Sequence, residues 1–467
     1  MKKIDFENGT VTNHILSAAL PMLVAQLLNL LYNIVDRIYI ARIPDVGTVA
    51  LGAVGLCFPI IVIITAFSNL FGTGGAPLFA ISQGQGDAKK ADQIMNTAFT
   101  MVCGAALLLM VIGMLFARPL LFLFGASADG IQYAYPYLMI YLLGTLPAMI
   151  ATGMNPFINA QGYATIGMLS VAVGAGTNLV LDPVLMFGLH LGIQGAAIAT
   201  VLSQILSAVV VFTFLHGKAE LKVRLLRKDE LAESLPLAAN IISLGTAGFI
   251  MQLTNSLVSI SCNHVLSVTG GDLYISIMTI ISSVRQLVET PIHAMSEGAS
   301  PVLSYNYGAR RPARVRKSIR VVATLVLLYT ALTWSVILLA PEALIRIFSS
   351  DATLVSHAVR PLNLYFAAFV FMDLQYIGQM VFKSLNKKKQ AIFFSILRKV
   401  VIVVPLTYFL PFGLSMGTDG VFLAEPVSNV IGGGLCFVTM LATVLPELRR
   451  MEQDALPMPD FHSKRLK

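Results

Sequence analysis

GGAPLFAISQG, residues 74–84, returns as GASPVLSYNYG, residues 298–308. In both stretches a glycine opens, a proline follows three positions on, and a second glycine stands seven beyond the proline. The offset is 224 residues and holds elsewhere: Tyr141 falls on Tyr365 and Gly162 on Asn386, while Gly195 lands one step late, on Gly420. A period of half a chain marks two copies of one unit. Paired units of membrane helices are the build of machines that open alternately to two sides.

Composition says that the unit is a membrane unit. Of 467 residues, 56% are apolar and 12% charged, and the mean hydropathy is +0.77. A soluble domain carries about 25% charged residues, so a large soluble core is excluded. Twelve apolar segments are expected to span, near 15–40, 49–72, 93–116, 131–150, 163–187, 193–215, 236–265, 272–296, 318–340, 355–382, 390–410 and 418–445. The first is too long for a signal-peptide core and is read as a retained span. Cys57, Cys103, Cys262 and Cys436 stand singly in apolar runs without metal spacing, as small lipid- or core-facing residues.

The net charge of +8 follows topology rather than an anionic partner. Numbering the span ends alternately puts 24 of the 32 Lys and Arg on the side of the two termini. Arg42, Arg118, Arg346 and Arg360 lie opposite, and Arg37, Arg285, Arg398 and Lys399 lie within spans. Basic loops stay in the cytoplasm, so both termini are expected inside, in a cytoplasmic (inner) membrane. The densest cluster, Arg310 to Arg320, is an ordinary intracellular loop; anionic lipid head groups suit it, and no nucleic-acid partner is expected.

The organisation is then a first lobe, residues 1–217, a cytoplasmic linker, 218–233, a second lobe, 234–446, and a flexible tail, 447–467. The charged stretch from His216 to Glu233 reads as linker, in part an amphipathic helix. Six spans per lobe is an even number, so both copies enter from the same side and the repeat is parallel. The chain has no nucleotide-binding P-loop, GxSxG elbow or HExxH. No enzyme and no ATP motor is therefore expected, and transport would draw on an ion gradient.

The polar groups within spans narrow the chemistry. Pro21 interrupts span 1, removing a helix hydrogen bond and inviting a kink. Beyond it Gln26, Asn29, Asn33 and Asp36 follow at spacings of three and four, on one helical stripe. An ionised carboxylate at the bilayer centre costs about 2.5–3.5 kcal/mol on insertion scales, so the stripe is expected to face an interior cavity. The plainer alternative is that Asp36 sits near the outer interface and pairs with Arg37 or Arg42. Span 5 carries Asn178 and Asp182 one turn apart, and span 6 carries Thr200, with Gln204 and Ser207 on its stripe. Carboxylates, an amide oxygen and a hydroxyl are hard ligands, suited to H+ or Na+. Two acids brought close also suit a site that holds and releases a proton. A structural cap at Asp182-Pro183 is the alternative for Asp182.

On these residues the chain resembles the multidrug and toxic compound extrusion (MATE) transporters, nearest their MepA-like branch. The resemblance covers essentially the whole chain. It rests on twelve spans in two six-helix lobes, Pro21 fifteen residues before Asp36, the Asn178, Asp182 and Thr200 set, and the Gly84-Gln85-Gly86-Asp87 and Tyr307-Gly308-Ala309-Arg310 turns. It implies an all-α polytopic fold, V-shaped around a central cleft. It also implies a first-lobe cation site at Asp36, Asn178, Asp182 and Thr200, taking H+ or Na+, whose occupancy alters bending of the proline-broken first helix.

The second lobe departs from the first. The residues matching Asn178 and Asp182 at the 224 offset are Ile402 and Leu406. Asp373 resembles the second-lobe acid of Na+-coupled members, but the glutamate that accompanies it in span 7 is absent. Cargo and cleft candidates are Asn33, Gln252, Asn255, Glu289, Asp373 and Glu425, with Glu297 a further one. Arg285, Glu289 and His293 share a face of span 8, as a buried ion pair or as a gating group. Among the methionines, Met139, Met149, Met154, Met251, Met278 and Met295 are candidates for a soft cavity wall.

The leading expectation is a monomeric antiporter without cofactor that exports hydrophobic organic cations against H+ or Na+ by alternating access. A flippase for lipid-linked oligosaccharides, from the same superfamily, is the alternative. It would need a basic cavity, and two extra spans seen in some such flippases are missing. A non-transporting receptor is the third reading.

Overall fold

The computed structural model describes residues 3–44, 46–126, 128–349 and 351–454; the end of the expected tail lies outside the described residues. The described chain is helical, with no strand. All twelve expected spans are helical: α1 (Val11–Ala41), α2 (Gly47–Gly84), α3 (Ala88–Leu123), α4, α5 (Ala164–Gly188), α6 (Gly192–Lys218), α7 (Leu231–Thr269), α8 (Gly271–Gly308), α9 (Pro312–Leu339), α10, α11 (Lys388–Gly413) and α12 (Gly417–Asp454). Two are broken. α4 joins Gly130–Leu143 to Thr145–Ala160 at 55°, and α10 joins Ala352–Tyr365 to Phe369–Ser384 at 48°. Among the described residues eleven of the twelve, counting each bent pair as one, are long and apolar enough to cross a membrane; α8 is not, because it carries Arg285, Glu289, His293 and Glu297.

Two hydrophobic cores form, one per half. The first gathers residues such as Phe79, Met95, Leu138 and Phe157, and the second residues such as Val302, Phe366, Phe382 and Phe422. The halves exchange a little at their borders. Phe6, Val11 and Ile15 pack into the second core, and Ile241 into the first.

The opening stretches meet each other. They form the last turns of α2 and α8, and there Gly84 lies against the Tyr305 carbonyl while Gly308 lies against the Ile81 carbonyl. These contacts are repeat mates, so a pseudo-two-fold axis runs between them. Any Cβ at either glycine would strike backbone. Gly74 and Gly245 approach in the same way one layer further in. The two halves are therefore sealed together on the side of the basic loops.

The 218–233 linker is not helical between Lys218 and Glu230. It runs extended over the first half. The backbone NH groups of Leu221, Arg224 and Leu226 donate to Gln161 Oε1 (3.3 Å), Asn96 Oδ1 (2.9 Å) and Thr100 Oγ1 (3.1 Å). Side chains of the first half thus satisfy linker backbone that a helix would have satisfied internally. Residues 447–454, expected as tail, continue α12.

The 224 offset has a physical origin for its late slip. Left-handed backbone recurs at Gly86 and Arg310 and at Gly162 and Asn386, 224 apart, but at His190 and Ser415 and at Gly192 and Gly417, 225 apart. Between these marks, α5 is regular up to a π turn at Val184–Gly188. α11 has the matching turn, Phe409–Gly413, and an additional π segment, Leu397–Val403. A π turn accommodates one extra residue inside a helix, and here it absorbs the residue that shifts the register. The true counterparts of Asn178 and Asp182 are therefore Val403 and Thr407, not Ile402 and Leu406.

Candidate ion and cargo site

A cavity of about 670 Å³ lies between the halves, lined by α1, α2, α4, α5 and α6 on one side and α7, α8 and α10 on the other. The stripe on α1 reaches it through Gln26, Asn29 and Asn33; Asn178 and Thr200 line it from α5 and α6. α1 continues as one helix through Pro21. The wall is rich in amides, and two of them join the halves: Gln26 Nε2 donates to Glu297 Oε2 at 2.8 Å and Asn69 Nδ2 to Gln252 Oε1 at 3.1 Å.

Behind Asn178 the two expected acids come together. Asp36 from α1 and Asp182 from α5 lie within hydrogen-bonding reach of each other. Asp182 is fully buried at 0% exposure, and Asn178 Nδ2 donates to its Oδ1 at 3.2 Å. Among the described residues neither carboxylate forms an ion pair; Arg37 is within electrostatic reach of Asp36 but does not pair with it, and neither does Arg42. Asp182 does not cap the helix break. Among the described residues three buried oxygens, Asp36 Oδ1, Asn178 Oδ1 and Asp182 Oδ2, have no hydrogen-bond donor. Buried oxygens without donors are costly, and a cation or proton among them removes the cost. The donor set is all oxygen, which fits H+ or Na+. Thr200 lines the cavity beside it.

The remaining cargo candidates divide. Asn33, Gln252 and Glu297 line the cavity, whereas Asn255 is exposed outside it. Asp373 is buried behind the wall and accepts from the Thr330 hydroxyl, with Oδ1 left without a donor. Glu289 and Glu425 belong to a buried charge cluster. Glu425 Oε1 takes Lys399 Nζ at 2.7 Å and lies 3.5 Å from Arg285 and 3.6 Å from Arg398; Glu289 takes Arg285 Nε. Arg398 Nη1 donates to Asn429 Oδ1 at 2.6 Å, and Arg285 Nη1 to the Tyr365 hydroxyl at 2.8 Å. Glu289, Asp373 and Glu425 thus do not face the cavity, because each has a polar partner that holds it inward. Of the six singled-out methionines, Met251 lines the cavity, and Met149, Met154 and Met278 pack in the cores.

Arg398 and Lys399, each 2% exposed, were visible in the sequence only as charges within a span. They sit on the additional π segment of α11, and Asn429 sits on a π turn of α12, Asn429–Gly433. Position Gly174 of the first half corresponds to Arg398. There Gly174 packs on Ser207, while Arg398 packs on Gly432. Large and small have changed places across the helix pair, which is how a guanidinium fits where the first half leaves room for the cavity.

Two like halves sealed at one end, a central cavity and a carboxylate couple beside it define a multi-pass membrane protein of the transporter class. The family model agrees: the chain belongs to the MatE family, matched over residues 21–184 and again over 248–409, once in each half. Multidrug export protein MepA of Staphylococcus haemolyticus (strain JCSC1435) is 25% identical over 424 residues, 90% of this chain and 92% of that protein. MepA of Staphylococcus aureus (strain NCTC 8325 / PS 47) is 23% identical over 429 residues, with the same coverage of 90% and 92%. A crystal structure of MATE in the bent conformation superposes with a TM-score of 0.89 at 21% identity, covering 97% of this chain and 99% of that one. An outward-facing multidrug resistance MATE family transporter of the MOP superfamily gives 0.88 at 21% identity, covering 96% and 99%. These structures share the fold.

Proposed function

We propose that this protein is a multidrug efflux antiporter of the cytoplasmic membrane, with both termini inside, that exports hydrophobic organic cations in exchange for H+ or Na+. The observation that carries this reading is the trio of donorless buried oxygens on Asp36, Asn178 and Asp182. Two carboxylates in contact, Asp182 fully buried and Asp36 partly, with no ion pair to either among the described residues, are held best with one added positive charge between them. Asp36 lies on the helix that also brings Gln26, Asn29 and Asn33 to the cavity. A change of charge at Asp36 therefore acts on a wall of the cargo site. Cargo and coupling ion compete through that helix, and differential binding of the two drives the exchange. The seal at Gly84 and Gly308, on the side of the basic loops, supports an outward-open state as the one described.

The family name of the MepA relatives and the apolar, amide-rich wall support hydrophobic cargo of varied shape. The flippase alternative needs a basic cavity; among the described lining residues Glu297 and Lys383 cancel. The test is efflux of ethidium from proteoliposomes with a pH gradient and a Na+ gradient imposed separately. One gradient is expected to drive efflux in the wild type and neither in Asp36→Asn. Undiminished efflux in the variant overturns the assignment.

A further inference from the structure

Lys383, counted by sequence among the basic loop residues, lines the central cavity instead. It is the last-turn base of α10, held inward because Ser384 beside it is tied to α8: Ser300 Oγ and Ser384 Oγ are 2.8 Å apart, and Ser304 Oγ donates to the Ser384 carbonyl at 2.8 Å. Among the described residues its ammonium makes no ion pair or hydrogen bond, although Glu297 is within electrostatic reach. Glu297 is held on the other side by Gln26. Among the described residues two further oxygens on lining residues lack partners. Ser296 Oγ, on a residue 7% exposed, neighbours Glu297, and Asn159 Oδ1, on a residue 6% exposed, occupies the position in the first half that Lys383 occupies in the second. An ammonium without an ion pair or hydrogen bond among the described residues, on the wall of a cavity, is a receptor for an anionic group, and the carboxylate within its electrostatic reach is a receptor for a cationic one.

We infer that Lys383 is an anion-recognising cargo residue, so that the preferred cargo is amphoteric: an apolar body with an acidic group for Lys383 and a cationic nitrogen for Glu297. This rests on the reading of the cavity as the cargo site and narrows the cargo class from organic cations to organic zwitterions. The bland role for Lys383 is to stabilise the C-terminal end of α10, where a base offsets the helix dipole. That role affects stability and leaves ligand preference untouched.

The deciding measurement compares two xanthene dyes that differ in one group, a rhodamine methyl ester and its parent free acid. Binding of each to the purified full-length protein in detergent is read by fluorescence anisotropy. The wild type is expected to favour the free acid by roughly tenfold, the scale of one charge-assisted hydrogen bond. In Lys383→Met the ratio is expected to fall to about one, and in Lys383→Arg to persist; Lys383→Gln serves if the methionine variant does not fold. A wild type that binds neither dye, or binds both alike, overturns the inference, as does a ratio unchanged in Lys383→Met. Preferential binding of the acid without its transport in proteoliposomes would instead overturn the antiporter reading and leave the inference standing.

Discussion

At Asp36 and Asp182 the first half brings together a half-buried and a fully buried carboxylate, with no ion pair to any base among the described residues; at Glu425 the second half buries one carboxylate under Lys399, Arg285 and Arg398. Both are clusters of charge inside spans of like halves. The first is incomplete and gains from an added cation. In the second every charged group already has a partner of opposite charge, and its members hold one another. The comparison teaches that a buried charge signals function through what it lacks, not through its presence.

The largest effect is expected where the paired cluster is broken. Glu425→Gln leaves three cations without their shared anion and should cost about 3–5 kcal/mol of stability, the usual penalty for breaking a buried ion pair. A thermal-unfolding series in detergent checks it, and an unshifted midpoint would mean that the cluster is not structural. Asp36→Asn reverses the pattern: coupled efflux is expected to drop on the order of 100-fold. Its stability should change by no more than about 1 kcal/mol, because an amide can donate to Asp182 where a carboxylate cannot. If instead Asp36→Asn unfolds the protein as Glu425→Gln does, the contrast between the halves collapses.

Smaller effects test the seal between the halves and the linker that leads from one to the other. Gly245→Val places a side chain against the Leu70 backbone and should weaken the closure on the basic-loop side by roughly 1–3 kcal/mol, as overpacking does. Thiol labelling of a Ser300→Cys reporter from that side should then rise; unchanged labelling removes this contact from the gate. The smallest effect belongs to Glu230, outside the spans. Hydrogen bonds from the Arg224 guanidinium, at 2.7 and 2.8 Å, and from the Arg227 backbone hold its carboxyl down to about 2 from the ordinary 4.5. A lowered value means that the contact is fully present above pH 4.5 and is lost as the pH falls toward 2. Protease protection of the linker across that window checks the sign, and protection that rises on acidification would contradict it.

The fold was readable because its marks are local. Pro77, Gly84 and their mates announce the repeat, and apolar runs announce the spans. The site was half readable. Spacing put Asp36 on one stripe and Asp182 one turn from Asn178, but nothing in either helix says that the two faces meet. Lys383 was hidden by its company, three lysines just beyond it in the same loop. The shift from Leu406 to Thr407 as the mate of Asp182 was hidden more deeply. A residue added at a loop brings turn chemistry with it, whereas one added inside a helix leaves only a local widening.

That widening has a mechanical meaning. Leu397–Val403 is a helix with one residue more than its turns can hold. If the surplus were taken up at another turn, each side chain between the old place and the new would swing by about 100° around the axis, while both ends of α11 stayed where they are. Arg398 and Lys399 lie on that stretch. The span therefore contains its own crank, able to carry two cations off Glu425 without a hinge.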